Sequence, residues 1–221
     1  MPAAATTGLR VPTQSRAQRT REALVRAAAQ EFSRRGYAGA TAKSIAKRAR
    51  VAVGSFYQYF ENKDALLREI ATERLTWIHE RTLPLLEAPT TADLPSDPAA
   101  LQMLVRAGLR RIVEVVIEYH RDDPGLHAVL TERRHADPEL ERATSQAEHA
   151  LVERIAALLS RWGRASDPLA TAFVVFGAME GSVHAHVLGE PCVSEARFVS
   201  ALVDALLAIT LPGLAGMSPT P

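Results

Sequence analysis

The sequence predicts an all-α protein on three observations. Apolar residues recur at three- and four-residue spacing over long stretches, as in Leu101, Leu104, Val105, Leu109, Ile112, Val113, Val116 and Ile117, which is helical rather than strand periodicity. Proline and glycine fall where helices would begin or end, at Pro124-Gly125, Pro138, Gly163, Pro168 and Pro212-Gly213. No stretch alternates apolar and polar residues over the length of a strand. The segments amount to about nine or ten helices, without an internal repeat or a heptad run long enough for a coiled coil.

Residues 1–15 are small, polar and Pro-containing and predict a disordered basic arm. Arg10 and Arg16 either track phosphates or belong to a loose tail. A helix over Ser15–Arg35 buries Leu24, Ala27, Ala28 and Phe32 along one stripe. Gly36 suits the position just past its end, and Arg34 and Arg35 complement its dipole. Thr41 is an N-cap whose hydroxyl can accept from the Ser44 amide. Ile45, Ala46 and Ala49 continue a short helix, Arg50-Val51-Ala52 breaks it, and Val53 to Tyr59 forms another with Phe56 and Phe60 on one side.

Asn62 or its neighbour caps the next helix, which runs to about Leu83 before Pro84. Ala88–Pro98, with three prolines, is the clearest loop. A long apolar helix spans Ala99 to about Arg121. Asp122-Asp123-Pro124-Gly125 turns into a short helix ending near His135. Pro138 begins a helix running to Trp162-Gly163. Leu169–Leu188 and Ser194 to about Leu211 complete the set, and residues 213–221 fray.

Helix, three-residue turn and helix over about residues 41–60 is the geometry that places a second helix in the DNA major groove. The residue types suit it. Val53, Gly54 and Ser55 are small enough to bring backbone close to base edges, and Tyr57 and Tyr59 offer phenolic hydroxyls. Lys43, Lys47, Arg48, Arg50 and Lys63 supply positive charge. Thr41, Lys43, Ser44, Tyr57 and Lys63 are expected at phosphates; Val53, Gly54, Ser55, Gln58 and Tyr59 are expected to face or approach bases.

The run Thr41, Ser44, Ile45-Ala46, Ala49, Val51, Gly54-Ser55, Tyr57, Tyr59-Phe60 and Asn62-Lys63-Asp64 closely resembles the DNA-binding domain of the tetracycline-repressor (TetR) family. The likeness reaches back over Arg19–Arg35 and covers about a quarter of the chain. It implies an all-helical homodimer that represses transcription until a small ligand binds the C-terminal domain. Arg50 departs from the glycine usual in the family's turn, and a positive φ there would strain it. Ala52 replaces a common serine.

Charge agrees with that division. The 221-residue chain has a formal net charge of +1, yet residues 1–63 carry 12 Lys or Arg against 3 acidic residues, and the remainder 14 against 22. A basic nucleic-acid module (residues 16–63) would thus precede an acidic ligand-binding and dimerisation domain (residues 64–212). Its first helix, starting at Lys63, would act as a lever between ligand and DNA. The amino-terminal stretch lacks the apolar core of a signal peptide, no segment approaches a membrane span, and Cys192 is the single cysteine. A soluble cytoplasmic protein is expected, with Cys192 either a redox switch or a passive surface thiol.

In the acidic part, Gly177 and Gly181 make a flat patch four residues apart, and Phe198, Leu202 and Leu206 lie on a broad apolar face. Together they are the expected dimer interface, giving two recognition helices about 34–36 Å apart on a pseudo-palindromic double-stranded operator. Trp77, Met103, Tyr119, Phe173, Phe176, Met179 and His184 are the candidate lining of an effector pocket. The alternative is an effector-independent DNA-binding regulator with a filled body. No P-loop, nucleophile elbow or dinucleotide fingerprint is present, so neither catalysis nor a cofactor is expected. His184 and His186, two apart, face different sides of a helix, and His120, His127, His135 and His149 lie elsewhere. Glu180 and His184, four apart, could form half a site, but without recognisable Cys/His ligand spacing no metal site is expected.

Overall fold

The computed structural model describes residues 13–87, 95–163 and 165–212, and among them are nine helices and no strand. They are α1 (Thr13–Gly39), α2 (Ala42–Arg48), α3 (Val53–Tyr59), α4 (Lys63–Glu87), α5 (Pro98–Asp122), α6 (Pro124–Arg134), α7 (Pro138–Trp162), α8 (Pro168–Leu188) and α9 (Glu195–Thr210). The chain divides into two compact units between Ile70 and Ala71, seven residues past the boundary expected at residue 63. The reason is that the first turns of α4 bury Leu66, Leu67 and Ile70 in the amino-terminal unit. Most of the arm (residues 1–12), residues 88–94 of the expected loop and the tail from residue 213 lie outside the described residues; α1 begins two residues before the expected Ser15.

In the amino-terminal unit α1 is bent at Gly36, whose φ of 67° only glycine adopts without strain. Leu24, Ala28 and Phe32 from α1, Ile45 and Ala46 from α2 and Phe56 from α3 are fully buried.

The second unit holds the larger core. Val113 and Val116 of α5, Ile155 and Leu159 of α7, Val175 and Met179 of α8 and Val203 and Leu206 of α9 share one buried cluster. Four of its helices start with one device. Asp97, Asp123, Asp137 and Asp167 are N-caps, each followed by proline in the first turn. Their carboxylates accept from Ala100 (2.8 Å), Leu126 (2.9 Å), Leu140 (3.3 Å) and Ala170 (3.0 Å) amides. The aspartate satisfies an orphan donor, and proline has no N–H to lose.

Pro84 does not end α4 as expected; the helix continues to Glu87. An interior proline costs about 3 kcal/mol. Here the last turn buries Leu86 in the core and packs Leu85 against it, which offsets part of that cost. Among the described residues no helix is long and apolar enough to cross a membrane.

Replacing Asp167 by alanine is expected to lower the unfolding free energy by about 1 kcal/mol, while Asp167→Asn retains most of it. A urea titration reads this as a shifted midpoint at constant slope. Equal midpoints for the alanine variant and the wild type would show the cap to be dispensable.

Candidate nucleic-acid interface and internal cavity

The turn between α2 and α3 is built from the end of α2. The Arg50 amide donates to the Lys47 carbonyl (3.2 Å) and the Val51 amide to the Ala46 carbonyl (3.0 Å). That pair of bonds is a Schellman motif with Arg50 at the position that glycine favours. Arg50 accordingly has φ 58°, the one non-glycine positive φ among the described residues. A left-handed non-glycine residue costs about 1–2 kcal/mol, so the surrounding packing must hold it. Arg50 is itself exposed.

Thr41 and Ser44 form a reciprocal capping box: each backbone amide donates to the other's hydroxyl oxygen at 3.1 Å. The Ser44 hydroxyl also lies 3.0 Å from the Thr41 carbonyl, to which it can donate. In α3, Phe56 is fully buried while Val53, Gly54, Tyr57 and Gln58 are exposed, Tyr57 to 61%. Ser55 and Tyr59 are half-buried; Lys43 is exposed. One side of α3 thus grips the unit and the other is offered outward.

Lys63, expected at a phosphate, is engaged within the protein. Its ammonium donates to the Tyr37 carbonyl (2.8 Å) and the Ala40 carbonyl (3.4 Å) and sits 3.8 Å from the Tyr37 ring centroid. Beside it the Tyr37 hydroxyl donates to Asp64 at 2.5 Å, and Arg21 pairs with Glu69 at 2.5 Å. These contacts fasten the start of α4 to α1.

Glu31 joins α1 to α2 from a buried position, its side chain 3% exposed. Arg48 Nε donates to its Oε1 at 2.6 Å, and Arg35 Nε lies 3.2 Å from its Oε2. Burial alone would raise the carboxyl. The Arg48 and Ser44 hydrogen bonds and the two arginine charges outweigh it and hold the group below the ordinary carboxylate range.

The second unit contains a cavity of about 610 Å³. Leu75, Ile78, Ile112, Ile155, Phe176 and Met179 line it, with Tyr119, His127, Arg134, Glu148, Glu180 and His184 as polar members. Of the expected pocket residues, Tyr119, Phe176, Met179 and His184 line it. Met103 and Phe173 do not; both are surface residues, 68% and 65% exposed. Trp77 is not in the lining either. It packs against Tyr119, ring centroids 6.1 Å apart, under the Arg81 guanidinium. Arg134 and Glu148 are tied down, Arg134 donating to Glu141 and Glu148, both at 2.6 Å, and Arg74 donates to the Tyr119 carbonyl at 2.7 Å. Trp162, also in the lining, has a buried Nε1 without a hydrogen-bond partner.

Sequence reasoning missed the histidine cluster at this cavity, and the scatter it expected is corrected. His120 of α5, His127 of α6 and His184 of α8 bring ligating nitrogens within 4.8 Å of one another. Three helices supply one residue each, so no sequence spacing announces the group. His186 is separate, as the two-residue offset implied, and stacks on Phe198 at 4.1 Å. His120 is fully buried; its Nδ1 lies 2.9 Å from the Val116 carbonyl and its Nε2 3.2 Å from Glu180. Burial alone would lower His120; the Glu180 contact outweighs it and raises it. Burial, then the neighbouring His120 and His184, holds His127 down at about 4.

The expected dimer residues divide as well. Gly177 and Gly181 are exposed, with Phe173 and Val174 beside them on α8. Leu202 (7% exposed) and Leu206 (fully buried) face the core of their own chain and are not free to meet a partner. Phe198 is half-buried under His186.

An amino-terminal helix-turn-helix unit followed by a helical body with an internal cavity defines the class, and comparison with known proteins gives the family. Residues 24–70 match the family described as bacterial regulatory proteins, tetR family, and residues 105–208 match the tetracyclin repressor-like C-terminal domain. The chain belongs to the tetracycline-repressor family. It is 29% identical over 148 residues to the Escherichia coli K12 protein named "Probable acrEF/envCD operon repressor", covering 61% of this chain and 64% of that one. The chain therefore spans just under two-thirds of that relative. The Bacillus subtilis regulator YdgC is 38% identical over 74 residues, 34% of this chain and 36% of its own. Among solved structures, a TetR-family regulator from Mesorhizobium loti covers 88% of this chain and 98% of its own, at 23% identity and TM-score 0.65. AibR, solved with isovaleryl coenzyme A and operator DNA, covers 85% of this chain and 98% of its own, at 18% identity and TM-score 0.61. These two likenesses show the fold alone.

Glu31 yields a signed prediction. Its folded-state carboxyl titrates below the unfolded one, so its contribution is present above the ordinary carboxylate range and is lost as pH falls through the lowered value. Glu31→Gln, which leaves Arg48 without its buried anion, is expected to destabilise the amino-terminal unit by about 3 kcal/mol at neutral pH and to flatten its acid-side stability loss. Denaturant titrations between pH 3 and pH 7, at roughly unit steps, check both; a variant as acid-sensitive as the wild type overturns this account.

Proposed function

We propose that this protein is a sequence-specific, homodimeric DNA-binding regulator, a repressor that leaves its operator when a small, largely apolar effector enters the body. The observation that supports it most is α3 itself, anchored by a fully buried Phe56 and presenting Val53, Gly54, Tyr57 and Gln58 on its open side. Gln58 can pair bidentately with adenine, worth about 1–3 kcal/mol of discrimination. Lys43, Thr41 and Tyr57 are placed to meet phosphates. The Thr41 hydroxyl accepts in the capping box yet keeps its own proton to donate. Lys63 acts through the end of α1, so phosphate charge is assigned chiefly to Lys43 and Lys47, both exposed. The relative named as an operon repressor and the AibR structure with operator DNA agree with this reading.

The effector half rests on the cavity. Ligand sites hold about 300–1,000 Å³, and about 610 Å³ falls within that range, which favours a ligand-responsive body over a filled one. The lining is mostly aliphatic, and the unpartnered Trp162 Nε1 suits an effector that carries a hydrogen-bond acceptor. Coupling runs through α4. Its first turns belong to the DNA-reading unit, and its residues from Ala71 to Leu86 line the cavity. An effector weakens DNA binding only by the ratio of its affinities for the two states of the dimer.

Fluorescence anisotropy against the duplex upstream of its own gene tests this. Lys43→Ala is expected to weaken all duplexes alike and lower the salt slope by about one, while Gln58→Ala weakens the preferred duplex by about tenfold or more and narrows its margin over random DNA. Wild-type protein with no preference for any duplex in a broad panel, at low ionic strength, would sink the DNA-binding reading. For the dimer, Phe173→Glu on the exposed face of α8 is expected to give a folded monomer by sedimentation velocity. Leu206→Glu, placing a charge in the core, is expected to unfold the body instead. A Phe173→Glu protein that stays dimeric at micromolar concentration removes this face from the interface.

A further inference from the structure

We propose that His120, His127 and His184, with the Glu180 carboxylate, form a binding site for one divalent transition-metal ion of the zinc class. The three imidazoles come from α5, α6 and α8, and their ligating nitrogens lie within 4.8 Å of one another. In a tetrahedral zinc site, bonds of about 2.0–2.1 Å put ligand atoms about 3.4 Å apart. The gap to be closed is therefore on the order of an ångström. His184, the most exposed of the three, is the side chain free to close it.

The arrangement has the features of a site already oriented. His120 is fixed at Nδ1 by the Val116 carbonyl, 2.9 Å away, which leaves Nε2, 3.2 Å from Glu180, as the nitrogen able to ligate. A histidine held at one nitrogen so that the other can ligate is the usual outer-sphere device of metal sites. Among the described residues the rings of His127 and His184 meet other rings: His127 packs against Tyr119, His120 and His184, and His184 against His120 and His127. The His127 and His184 rings lie 5.3 Å apart, and His127 lies 4.7 Å from the His120 ring. Each neutral imidazole presents one lone pair that needs a donor or a cation opposite it. One cation among them serves all three.

The donor set selects the ion. Three nitrogens and one carboxylate suit Zn²⁺, Co²⁺, Ni²⁺ or Cu²⁺, whereas Mg²⁺ and Ca²⁺ require oxygen cages. His127, Glu180 and His184 line the cavity, so an ion held here would face the space assigned above to an effector. Glu180, 40% exposed at its side chain and 3.2 Å from His120, can complete the coordination or remain the partner of that ring.

The experiment uses the full chain without an affinity tag, stripped with a chelator and dialysed. Zn²⁺ is titrated against a chromophoric chelator, and Co²⁺ is titrated separately for its visible ligand-field bands. One equivalent per chain is expected, with a Co²⁺ spectrum of four- or five-coordinate nitrogen and oxygen ligation. His127→Ala and His184→Ala are each expected to weaken Zn²⁺ by about tenfold or more, and to abolish any Zn²⁺-dependent rise in Tm. His149→Ala, at an exposed histidine outside the cluster, serves as the control and leaves both unchanged. Circular dichroism establishes that each variant is folded, and the Co²⁺ spectrum of the wild type tests the ligand set without any substitution. Less than one equivalent bound, a six-coordinate all-oxygen Co²⁺ spectrum, or a folded His127→Ala/His184→Ala double variant with wild-type affinity would overturn the proposal. No operator enters the measurement, so its outcome and that of the DNA-binding reading are separable.

Discussion

The amino-terminal unit depends on the grip of α1 on two helices too short to stand alone. α2 and α3 have seven residues each. Isolated helices below about 12–15 residues are marginal in water, so almost all of their order comes from what they pack against. Phe32 and Leu24 supply the apolar half of that support, meeting a unit in which Ile45 and Phe56 are also fully buried. Glu31 supplies the directional half, because a buried carboxylate paired to Arg48 at 2.6 Å tolerates little sliding of α2 along α1. The strained turn follows from the same support. Arg50 holds a left-handed conformation because two Schellman hydrogen bonds close around it and the helices on both sides are pinned.

Much of this was legible in the sequence. The cap at Thr41, the break at Arg50-Val51-Ala52 and the burial of Phe56 and Phe60 follow from local chemistry and from helical spacing. Pro124, Pro138 and Pro168 marked helix starts because the missing proline N–H costs nothing in the first turn. Local signals failed where distant packing decided. Pro84 reads as a stop, yet burial of Leu86 in the core keeps the helix going.

Other errors share a different cause. Periodicity shows that α9 has an apolar face but not whether its own chain or a partner covers it, and Leu202 and Leu206 turned out to be covered from within. Phe173 and Phe176 illustrate the same ambiguity on α8: three residues apart, they lie on the surface and in the cavity wall. Lys63 looked like a phosphate ligand because its charge was visible, whereas the carbonyls of Tyr37 and Ala40 that engage it were not. The histidines are the extreme case, since convergence of α5, α6 and α8 is wholly a property of tertiary structure.

The two units place opposite demands on α4. On the proposed reading the helix start must be immobile for base contacts to be selective, and Lys63, Asp64 and Glu69 fasten it to α1 with charge-assisted hydrogen bonds and one ion pair. On the same reading the helix must respond in the body, where it forms a wall of the cavity from Ala71 to Leu86. Rigid polar fastening at one end and an apolar, partly empty surface at the other is a workable division of labour. Aliphatic side chains facing a void lose few contacts when they shift, while paired charges at short range lose much when separated. On the proposed reading, a ligand that fills the void would therefore move the body's portion of α4 and carry the fastened portion with it. The unbroken helix from Lys63 through the cavity-lining residues is what makes that transmission possible.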